Sequence, residues 1–312
     1  MSEPGRAEAL RATQKIARIA VAAAKQQFPP QALVDVLQRF HASAFGQPFI
    51  GLDHTFSWMG VQLVCPRGVQ QGSVLEYLAE FHSARIEATE RLLGRRGDME
   101  FIELRLAADG EIGATVHSIG ACPVEDDLAL VRDLTELSAD SDMLLNALVR
   151  QLVSAGGVSQ GMSDGDDGVT TLRFALGNAD DKEMTATLAV LTSVASGLQA
   201  SDAQLGLLRS GHRGLCLGGA CIAGISIKNQ RLMMGLALEY APMSWQNSKE
   251  LMLGLHPDAP AIEKLAILSD TCNSEHVSLV RLDLGPAEPP GLQVWAQLAA
   301  PSTGVRSQGY SQ

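Results

Sequence analysis

Two cysteines flank a pair of glycines in the segment Cys216-Leu-Gly-Gly-Ala-Cys221, the most suggestive small motif in the chain. Their spacing is longer than the Cys-x-x-Cys pattern of thioredoxin-type redox sites and zinc ribbons, which argues against both. No Gly-Lys-Ser/Thr sequence follows the glycines, so the segment does not form a phosphate-binding loop of the Walker type. Structural thiols are the favoured interpretation, and a redox or ligand-contacting role is the alternative.

The other residues that could bind a metal ion are scattered along the chain. The seven histidines include no pair with the spacing of helical zinc ligands. His82 and His117 could pair across domains, although nothing in the sequence requires it. The segment Asp164-Gly-Asp-Asp-Gly168 offers three carboxylates to calcium but lacks the bidentate glutamate of an EF-hand loop. A solvated loop is the favoured interpretation, and we expect neither a metal nor a cofactor.

Catalytic signatures are missing from the sequence. There is no Gly-x-Ser-x-Gly nucleophile elbow, and no Ser-x-x-Lys motif with its partners. The absence of such motifs does not exclude catalysis, but it makes a non-catalytic protein the main expectation.

Composition limits the partners and the compartment. The net charge is −11 and the isoelectric point about 5.1, so the chain repels phosphate backbones and nucleic acid is not expected to bind. No apolar run approaches the roughly 20 residues that span a bilayer, so membrane insertion is not expected. The five cysteines are odd in number and widely spread, which indicates reduced thiols. Residues 16–24 resemble a signal sequence, but Arg18 interrupts them and they are interpreted as part of a soluble helix, so the expected compartment is the cytoplasm.

The elements that would position these residues can be read from periodicity. Residues 183–198 have apolar side chains at helical spacing, with Leu188, Leu191 and Val194 on one face. Alternating side chains predict strands at 203–209 and 215–217, joined by a tight turn at 210–212. Helices are then predicted at 227–240 and 259–271, followed by strands at 276–283 and 292–298.

This order of helix, two strands, two helices and two strands, from residue 182 to 299, resembles a GAF-type sensory domain. It is most similar to the GAF domains of some bacterial secretion and efflux adaptor proteins. The resemblance covers about a third of the chain and lacks the C-terminal helix that often links such domains to an output. In this domain the expected ligand-contacting residues are Cys216, Cys221, Arg231 and Trp245.

The N-terminal half matches no family pattern. It contains an alanine-rich helix at 7–27, a second helix at 30–44, a long helix at 73–93 and a hairpin whose turn is Asp109-Gly110. The predicted fold class is therefore α+β: an antiparallel sheet flanked by helices in the C-terminal part, with a separate N-terminal α/β domain. The expected domains are 1–154 and 169–300, followed by a polar tail at 301–312. Residues 155–168 are either a flexible linker or a long hairpin loop within one domain.

The favoured function is a non-catalytic sensory or scaffold module that binds a partner protein, and a small ligand in its GAF-like domain. The alternatives are an accessory subunit of a bacterial secretion or polysaccharide-export system and an enzyme with a site between its domains. The alanine-rich helix at 7–27 would leave its apolar face poorly covered on a single molecule, so we expect a homodimer. A membrane-surface role for this helix is the less favoured alternative.

Overall fold

The architecture is that of a strand barrel surrounded by helices. The computed structural model describes residues 3–40, 46–53, 55, 57–66, 86–95, 99–177, 181–215, 220–228, 236–241, 243–255, 259–274, 276–285 and 291–298. Its helices are α1 (Glu3–Lys25), α2 (Pro30–Leu37), α3 (Ile86–Leu93), α4 (Val124–Thr135), α5 (Ala139–Ser154), α6 (Asp181–Gly197), α7 (Asp202–Leu215), α8 (Trp245–Leu255) and α9 (Ala259–Cys272).

Ten antiparallel strands form one closed barrel, and two short strands form a separate ribbon. The order around the barrel is β1-β12-β11-β8-β7-β6-β5-β4-β3-β2, so the first strand pairs with the last, and β9 pairs with β10. The strands are β1 (Phe49–Asp53), β2 (Trp58–Pro66), β3 (Met99–Ala107), β4 (Ile112–Ile119), β5 (Val158–Gly165), β6 (Val169–Leu176), β7 (Ala220–Lys228), β8 (Leu236–Ala241), β9 (Met243–Ser244), β10 (His276–Val277), β11 (Leu279–Leu284) and β12 (Gly291–Gln297).

The two faces of the barrel have opposite polarity. Because side chains alternate along a strand, Ile102, Leu104 and Leu106 of β3 share one face, and all three are buried. This apolar face points to the helices, and Glu103 and Arg105 point to the barrel lumen. The hydrophobic core therefore lies between the barrel and its helices, and the lumen is left to polar side chains.

Short-range helix contacts build the outer layer. Helix α5 lies against α6, α6 against α7, and α8 against α9. Helix α1 packs on α2 and α9 of the same chain, with Ile19 and Ala23 fully buried and Leu10 and Val21 more than half exposed. In the described part of the chain, no helix combines the length and the apolarity that a bilayer crossing requires.

A buried ion pair connects this helical layer to the sheet. Arg95, just after α3, donates from Nε to Asp127 of α4 at 2.7 Å and from Nη2 to the second carboxylate oxygen at 3.0 Å. The same guanidinium donates to the carbonyl of Gly120 at 2.8 Å, and the hydroxyl of Ser159 donates to Asp127. The donors of Arg95 and Ser159 all meet acceptor oxygens, so the cluster holds α3 and α4 against β4 and β5.

Several predicted elements are wrong. The strand predicted at 203–209 and the turn at 210–212 are wrong, because residues 202–215 form helix α7, in which Leu205, Leu208 and His212 are buried at helical spacing. Of the strand predicted at 215–217, residue 215 ends this helix, and residues 216 and 217 lie outside the described part.

A helix is predicted at 227–240, but β7 extends to residue 228 and β8 begins at residue 236, so both ends of this segment are strands. Residues 229–235 lie outside the described part. Residues 158–165, predicted as flexible loop, form β5, which turns tightly into β6.

The predicted fold class is also wrong. Strands β1–β4 come from residues before 155 and β6–β12 from residues after 168, yet all but β9 and β10 belong to one closed barrel. A GAF domain with a separate N-terminal α/β domain would instead need two independent sheets. The long helix expected at 73–93 is described only as α3, since residues 67–85 lie outside the described part.

Candidate functional site

The lumen is lined by side chains from alternate positions of neighbouring strands. The register pairs Gln62 of β2 with Glu103 of β3, and Glu103 with Thr115 of β4, so these residues share a face. Two residues further along the same strands, and on the same face, the register pairs Phe101 of β3 with His117 of β4. Polar residues from separate strands therefore lie side by side on the lumen face of the barrel.

Glu103 is the central anion of this space, with its side chain only 2% exposed. Arg105 donates from Nε to Oε1 at 2.6 Å, and Gln62 donates from Nε2 to Oε2 at 3.0 Å. The Nε2 atom of His117 lies 3.4 Å from Oε2, which is longer than an ordinary hydrogen bond. The carboxylate thus has donors on both oxygens.

These contacts decide the protonation of Glu103. Burial by itself raises the pKa of the carboxyl, because it disfavours the charged form. The charge of Arg105, then the contacts with His117 and the hydrogen bond from Gln62, act in the opposite direction and hold the pKa of Glu103 well below its ordinary value. Glu103 is therefore an anion at neutral pH, in a place that water reaches poorly.

His117 is held from three sides. Its ring stacks on Phe101 with a centroid separation of 4.3 Å and an interplanar angle of 18°. Nη1 of Arg173 lies 2.9 Å from its Nδ1, and Nε2 faces Glu103. Arg173 and His117 are 3% and 1% exposed, so this chain of charged and polar groups runs through the interior of the barrel.

A cavity of about 290 Å³ is bordered by Arg105 and by Thr115, the cross-strand partner of Glu103. Arg105 and Arg281 contribute two guanidinium groups to its wall. Arg281 donates from Nε to Asp283 at 2.9 Å, and Gln293 donates to the other oxygen of Asp283 at 3.2 Å. Hydroxyl groups complete the polar wall, and they belong to Thr115, Ser163, Thr171 and Ser226.

Two tryptophans form an aromatic wall next to these charges. The rings of Trp58 and Trp295 lie 6.0 Å apart and are tilted by 44°. The guanidinium carbon of Arg105 lies 5.3 Å from the centre of the Trp58 ring, within cation–π range. Arg105 therefore contacts the anion Glu103 and the π-face of Trp58, and it also borders the cavity that Arg281 lines.

Of the four residues predicted as ligand contacts, Cys221 and Trp245 lie in the described part of the chain, and neither of these two lines the lumen. Cys221 is buried on β7, an odd number of positions from the lumen-lining Ser226, so it points to the helical layer. Trp245 begins α8 and donates from its indole nitrogen to the carbonyl of Ser274 at 2.8 Å. Cys216 and Arg231 lie outside the described residues, and a ligand role for these four residues stays a prediction.

The acidic segment at 164–168 forms the end of β5 and the turn to β6. Asp164 accepts a hydrogen bond from Thr170 at 2.7 Å, Asp166 accepts from the backbone of Ala114 at 2.8 Å, and Asp167 accepts from the backbone of Val169 at 3.0 Å. These carboxylates therefore diverge instead of converging on one point. Within the described ranges no group of three His, Cys, Asp or Glu side chains could hold a metal ion.

Glu103, Arg105, Arg173 and Arg281 are not among the residues that the sequence predicted to be functional. Their only signal was strand alternation, which distinguishes two faces without saying which of them is enclosed. A charged residue at every second position is normally the mark of a solvent-facing side. His117 was noted in a strand, but the arginine and the glutamate beside it come from strands that the sequence did not place next to it.

This architecture, a closed antiparallel barrel with helices outside and a polar lumen, is the fold of a class of prenyltransferases. The chain matches a 6-dimethylallyltryptophan synthase from Micromonospora olivasterospora, solved with DMASPP and Trp, at a TM-score of 0.62 and 14% identity, over 91% of this chain and 95% of that one. NotF prenyltransferase matches at 0.68 and 9%, over 91% and 93%. PriB, solved with product diphosphate, matches at 0.61 and 11%, over 92% and 96%.

No family model matches the sequence, and neither does any curated protein. At these identities the structural matches establish the fold of the chain. They overturn the resemblance to GAF domains, which rested on an order of elements that the structure does not have.

The functional expectations that depended on the GAF resemblance are corrected with it. The expectation of a non-catalytic sensory or scaffold protein is wrong, because the solved structures that share the fold are prenyltransferases, which are enzymes. The same finding removes the basis for a regulatory role or an accessory subunit of a secretion system. The alternative of an enzyme is the better supported hypothesis, although its candidate site lies inside one barrel and not between two domains.

Proposed function

We propose that the chain is an enzyme that transfers an allylic group from its diphosphate ester to an aromatic acceptor inside the barrel lumen. The observation that carries the proposal is the buried, ionised Glu103, whose partner Arg105 borders a cavity together with Arg281. Support comes from the fold, because structures that share it were solved with DMASPP and Trp or with product diphosphate.

The guanidiniums of Arg105 and Arg281 suit the diphosphate end of the donor. Arginine binds phosphate oxygens through paired N–H groups, and each guanidinium has five of them. Both residues hold a carboxylate through Nε, Arg105 that of Glu103 and Arg281 that of Asp283, and Nη1 of Arg105 also lies 4.0 Å from Asp167. Both guanidiniums border the same cavity, which is where we place the diphosphate. In an enclosed site such charge-assisted bonds also stabilise the diphosphate as it leaves.

Glu103 suits the acceptor. An ionised carboxylate accepts hydrogen bonds only, so it selects an aromatic compound with an N–H or O–H group and increases the electron density of its ring. The carbon–oxygen bond of the allylic ester then breaks, and its electron pair leaves with the diphosphate. A ring carbon of the acceptor forms the new carbon–carbon bond, and the proton on that carbon then passes to the released diphosphate, which restores the aromatic ring.

The tryptophan wall suits the allylic cation that this bond breaking produces. The electron-rich faces of Trp58 and Trp295 attract a positive charge, and the enclosed lumen keeps water from capturing it. The cavity of about 290 Å³ is small, which favours a short allylic chain such as dimethylallyl.

The test is a transfer assay with dimethylallyl diphosphate and a panel of tryptophan-like and phenolic acceptors, read by mass spectrometry. The wild-type chain should form an adduct heavier by one dimethylallyl group, and Glu103→Gln should lower the rate roughly ten- to a hundredfold, since a charge-assisted hydrogen bond is lost. Glu111→Gln is the matched control, because that carboxylate is exposed. Calorimetric titration with inorganic diphosphate measures the donor site separately. Absence of both transfer and diphosphate binding would refute the proposal.

The predicted homodimer and cytoplasmic location remain proposals. The exposed Leu10 and Val21 lie on one side of α1 and support self-association through this helix. Light scattering of the full chain and of a variant that lacks residues 1–27 tests it: the full chain should be dimeric at micromolar concentration and the truncated one monomeric.

A further inference from the structure

Arg173, His117 and Glu103 are in contact in series within the barrel. We propose that Arg173 fixes His117 as the neutral tautomer with its hydrogen on Nε2, and that His117 is thereby a positioning residue for the carboxylate of Glu103. The part that concerns catalysis rests on the proposed function, because it requires Glu103 to contact the acceptor. The tautomer itself can be measured whether or not the chain is a transferase.

The tautomer of His117 follows from which of its neighbours can donate a hydrogen bond and which can accept one. A guanidinium has N–H donors and no acceptor, so Nδ1 of His117, 2.9 Å from Nη1 of Arg173, must present its lone pair. The ring hydrogen then lies on Nε2, which is the atom that faces Oε2 of Glu103 at 3.4 Å. With the opposite tautomer, two N–H groups would meet at Arg173 and two lone pairs would meet at Glu103.

The fold prevents the ring from escaping this arrangement. Phe101 stacks on the imidazole at a small interplanar angle, and it is the cross-strand partner of His117 in the β3–β4 register. Strand β5 lies between β4, which carries His117, and β6, which carries Arg173, so the guanidinium crosses β5 diagonally. The residue of β5 that pairs with Arg173 is Gly161. That glycine has no side chain to occupy the path of the guanidinium.

The surrounding charges also oppose protonation of His117. The described residues placed at the ring are Glu103 and Phe101 from β3, Arg173 from β6 and the hydroxyl residue Ser163 from β5, with Arg105 next to Glu103. These described side chains combine two guanidiniums with one carboxylate. A proton on His117 would add a third positive charge to a buried site and place it against Arg173.

These contacts determine which carboxylate oxygen of Glu103 remains for the aromatic acceptor. Each carboxylate oxygen offers about two lone-pair positions. Gln62 donates to Oε2, Nε2 of His117 lies on the same side at 3.4 Å, and Arg105 occupies one position on Oε1. The hydrogen of the acceptor is therefore received by Oε1, and His117 keeps the carboxylate from rotating away from that orientation.

Nitrogen NMR of the full chain labelled with ¹⁵N-histidine tests the tautomer directly. In the wild type the His117 signals, assigned by their loss in His117→Gln, should show a non-protonated Nδ1 and a protonated Nε2, with no titration between pH 5 and 8. A protonated Nδ1, or a His117 that titrates in this range, would overturn the proposal. This measurement needs no substrate, so it is independent of whether the chain transfers a prenyl group.

Two substitutions at Arg173 sharpen the result. Arg173→Met removes the donor and should make His117 titrate within the same pH range, whereas Arg173→Lys keeps a charged donor and should leave it neutral. Equal behaviour of the two variants would show that Arg173 does not set the tautomer. If Arg173→Met does not fold, the NMR titration of His117 in the wild type still tests the proposed tautomer.

The catalytic part is tested by His117→Phe, which keeps the stack on Phe101 but has no N–H. If His117 acts through Glu103, kcat/KM for the acceptor falls roughly tenfold or more. The KM for the allylic diphosphate should stay within about twofold, and His117→Gln should restore part of the loss. An equal loss for both substrates would indicate a merely structural role and overturn this part. A chain that shows the predicted tautomer but transfers nothing would contradict the proposed function and not the tautomer.

Discussion

The indole ring of Trp295 occupies the space directly over Gly60, where a Cβ atom would lie 2.3 Å from the ring. Gly51, the cross-strand partner of both residues in the β1 register, is in the same position at 2.3 Å. Two glycines on neighbouring strands thus create the slot into which this tryptophan folds. The aromatic wall of the lumen depends on them.

Gly60→Ala should destabilise the protein by about 1–3 kcal/mol, because the ring of Trp295 must move. In a Trp295→Leu background the same alanine should cost less, since its nearest obstacle is gone and the ring of Trp58, 2.9 Å from the Cβ position, remains. Urea denaturation of the two single variants and the double variant measures this coupling. Gly206→Ala is the control, because nothing lies near its Cβ position in α7, and helix propensity predicts up to about 1 kcal/mol of stabilisation. If the losses in unfolding free energy of Gly60→Ala and Trp295→Leu simply add in the double variant, the ring of Trp295 does not fill the space over Gly60.

Arg95→Met should lower the free energy of unfolding by about 3–5 kcal/mol, because it leaves the buried carboxylate of Asp127 without its cation. Arg132→Met, which breaks the partly exposed pair with Asp142, should cost no more than about 1 kcal/mol. Thermal and denaturant unfolding of both variants gives the comparison. Equal costs would mean that the Arg95 cluster is not the link between helices and barrel.

The stability of the protein should depend on pH through Glu103. Because the pKa of this group is lower in the folded than in the unfolded state, its contribution is fully present above the unfolded value of about 4.3 and is lost as pH falls towards the folded value. The difference in unfolding free energy between wild type and Glu103→Gln should therefore be constant above about pH 5 and shrink below about pH 4. Denaturation at a series of pH values measures it, with Glu111→Gln as control. A difference that grows on acidification would show that burial dominates and raises the pKa.

Leu191→Ala should cost about 2–5 kcal/mol, since Leu191 is fully buried where α6 meets the core. Leu10→Ala removes the same atoms from a side chain that is 60% exposed, and it should change the stability little. Denaturant midpoints of the two variants are sufficient for this comparison. A small effect at Leu191 would place the buried face of α6 elsewhere.

Local chemistry was sufficient to predict some elements. The Asp109-Gly110 turn and the alternation on either side predict the β3–β4 hairpin, which the register from Met99 to Ile119 confirms. The helix at 183–198 is confirmed as α6, because its apolar side chains follow one helical face. In both cases the interacting residues are close in sequence.

The barrel could not be predicted in the same way. Its closure joins β1 to β12, which are more than 230 residues apart, and no local pattern encodes that pairing. The polar lumen reverses the usual rule, so Glu103 and Arg105 look like surface residues on an ordinary sheet. In α7, Leu205 and Leu207 fit a strand, and only the burial of Leu208 and His212 reveals the helical period.

The pairing of β1 with β12 also governs the order of events during folding. Strand β1 leaves the ribosome early, but its partner is completed only when Gln297 has been synthesised. Until then β1 and β11 each present an unpaired edge, and such edges promote association between chains. Contacts of this sequence separation also slow folding. A slow, chaperone-sensitive final step is therefore built into the fold, and the lumen cannot exclude water before that step is complete.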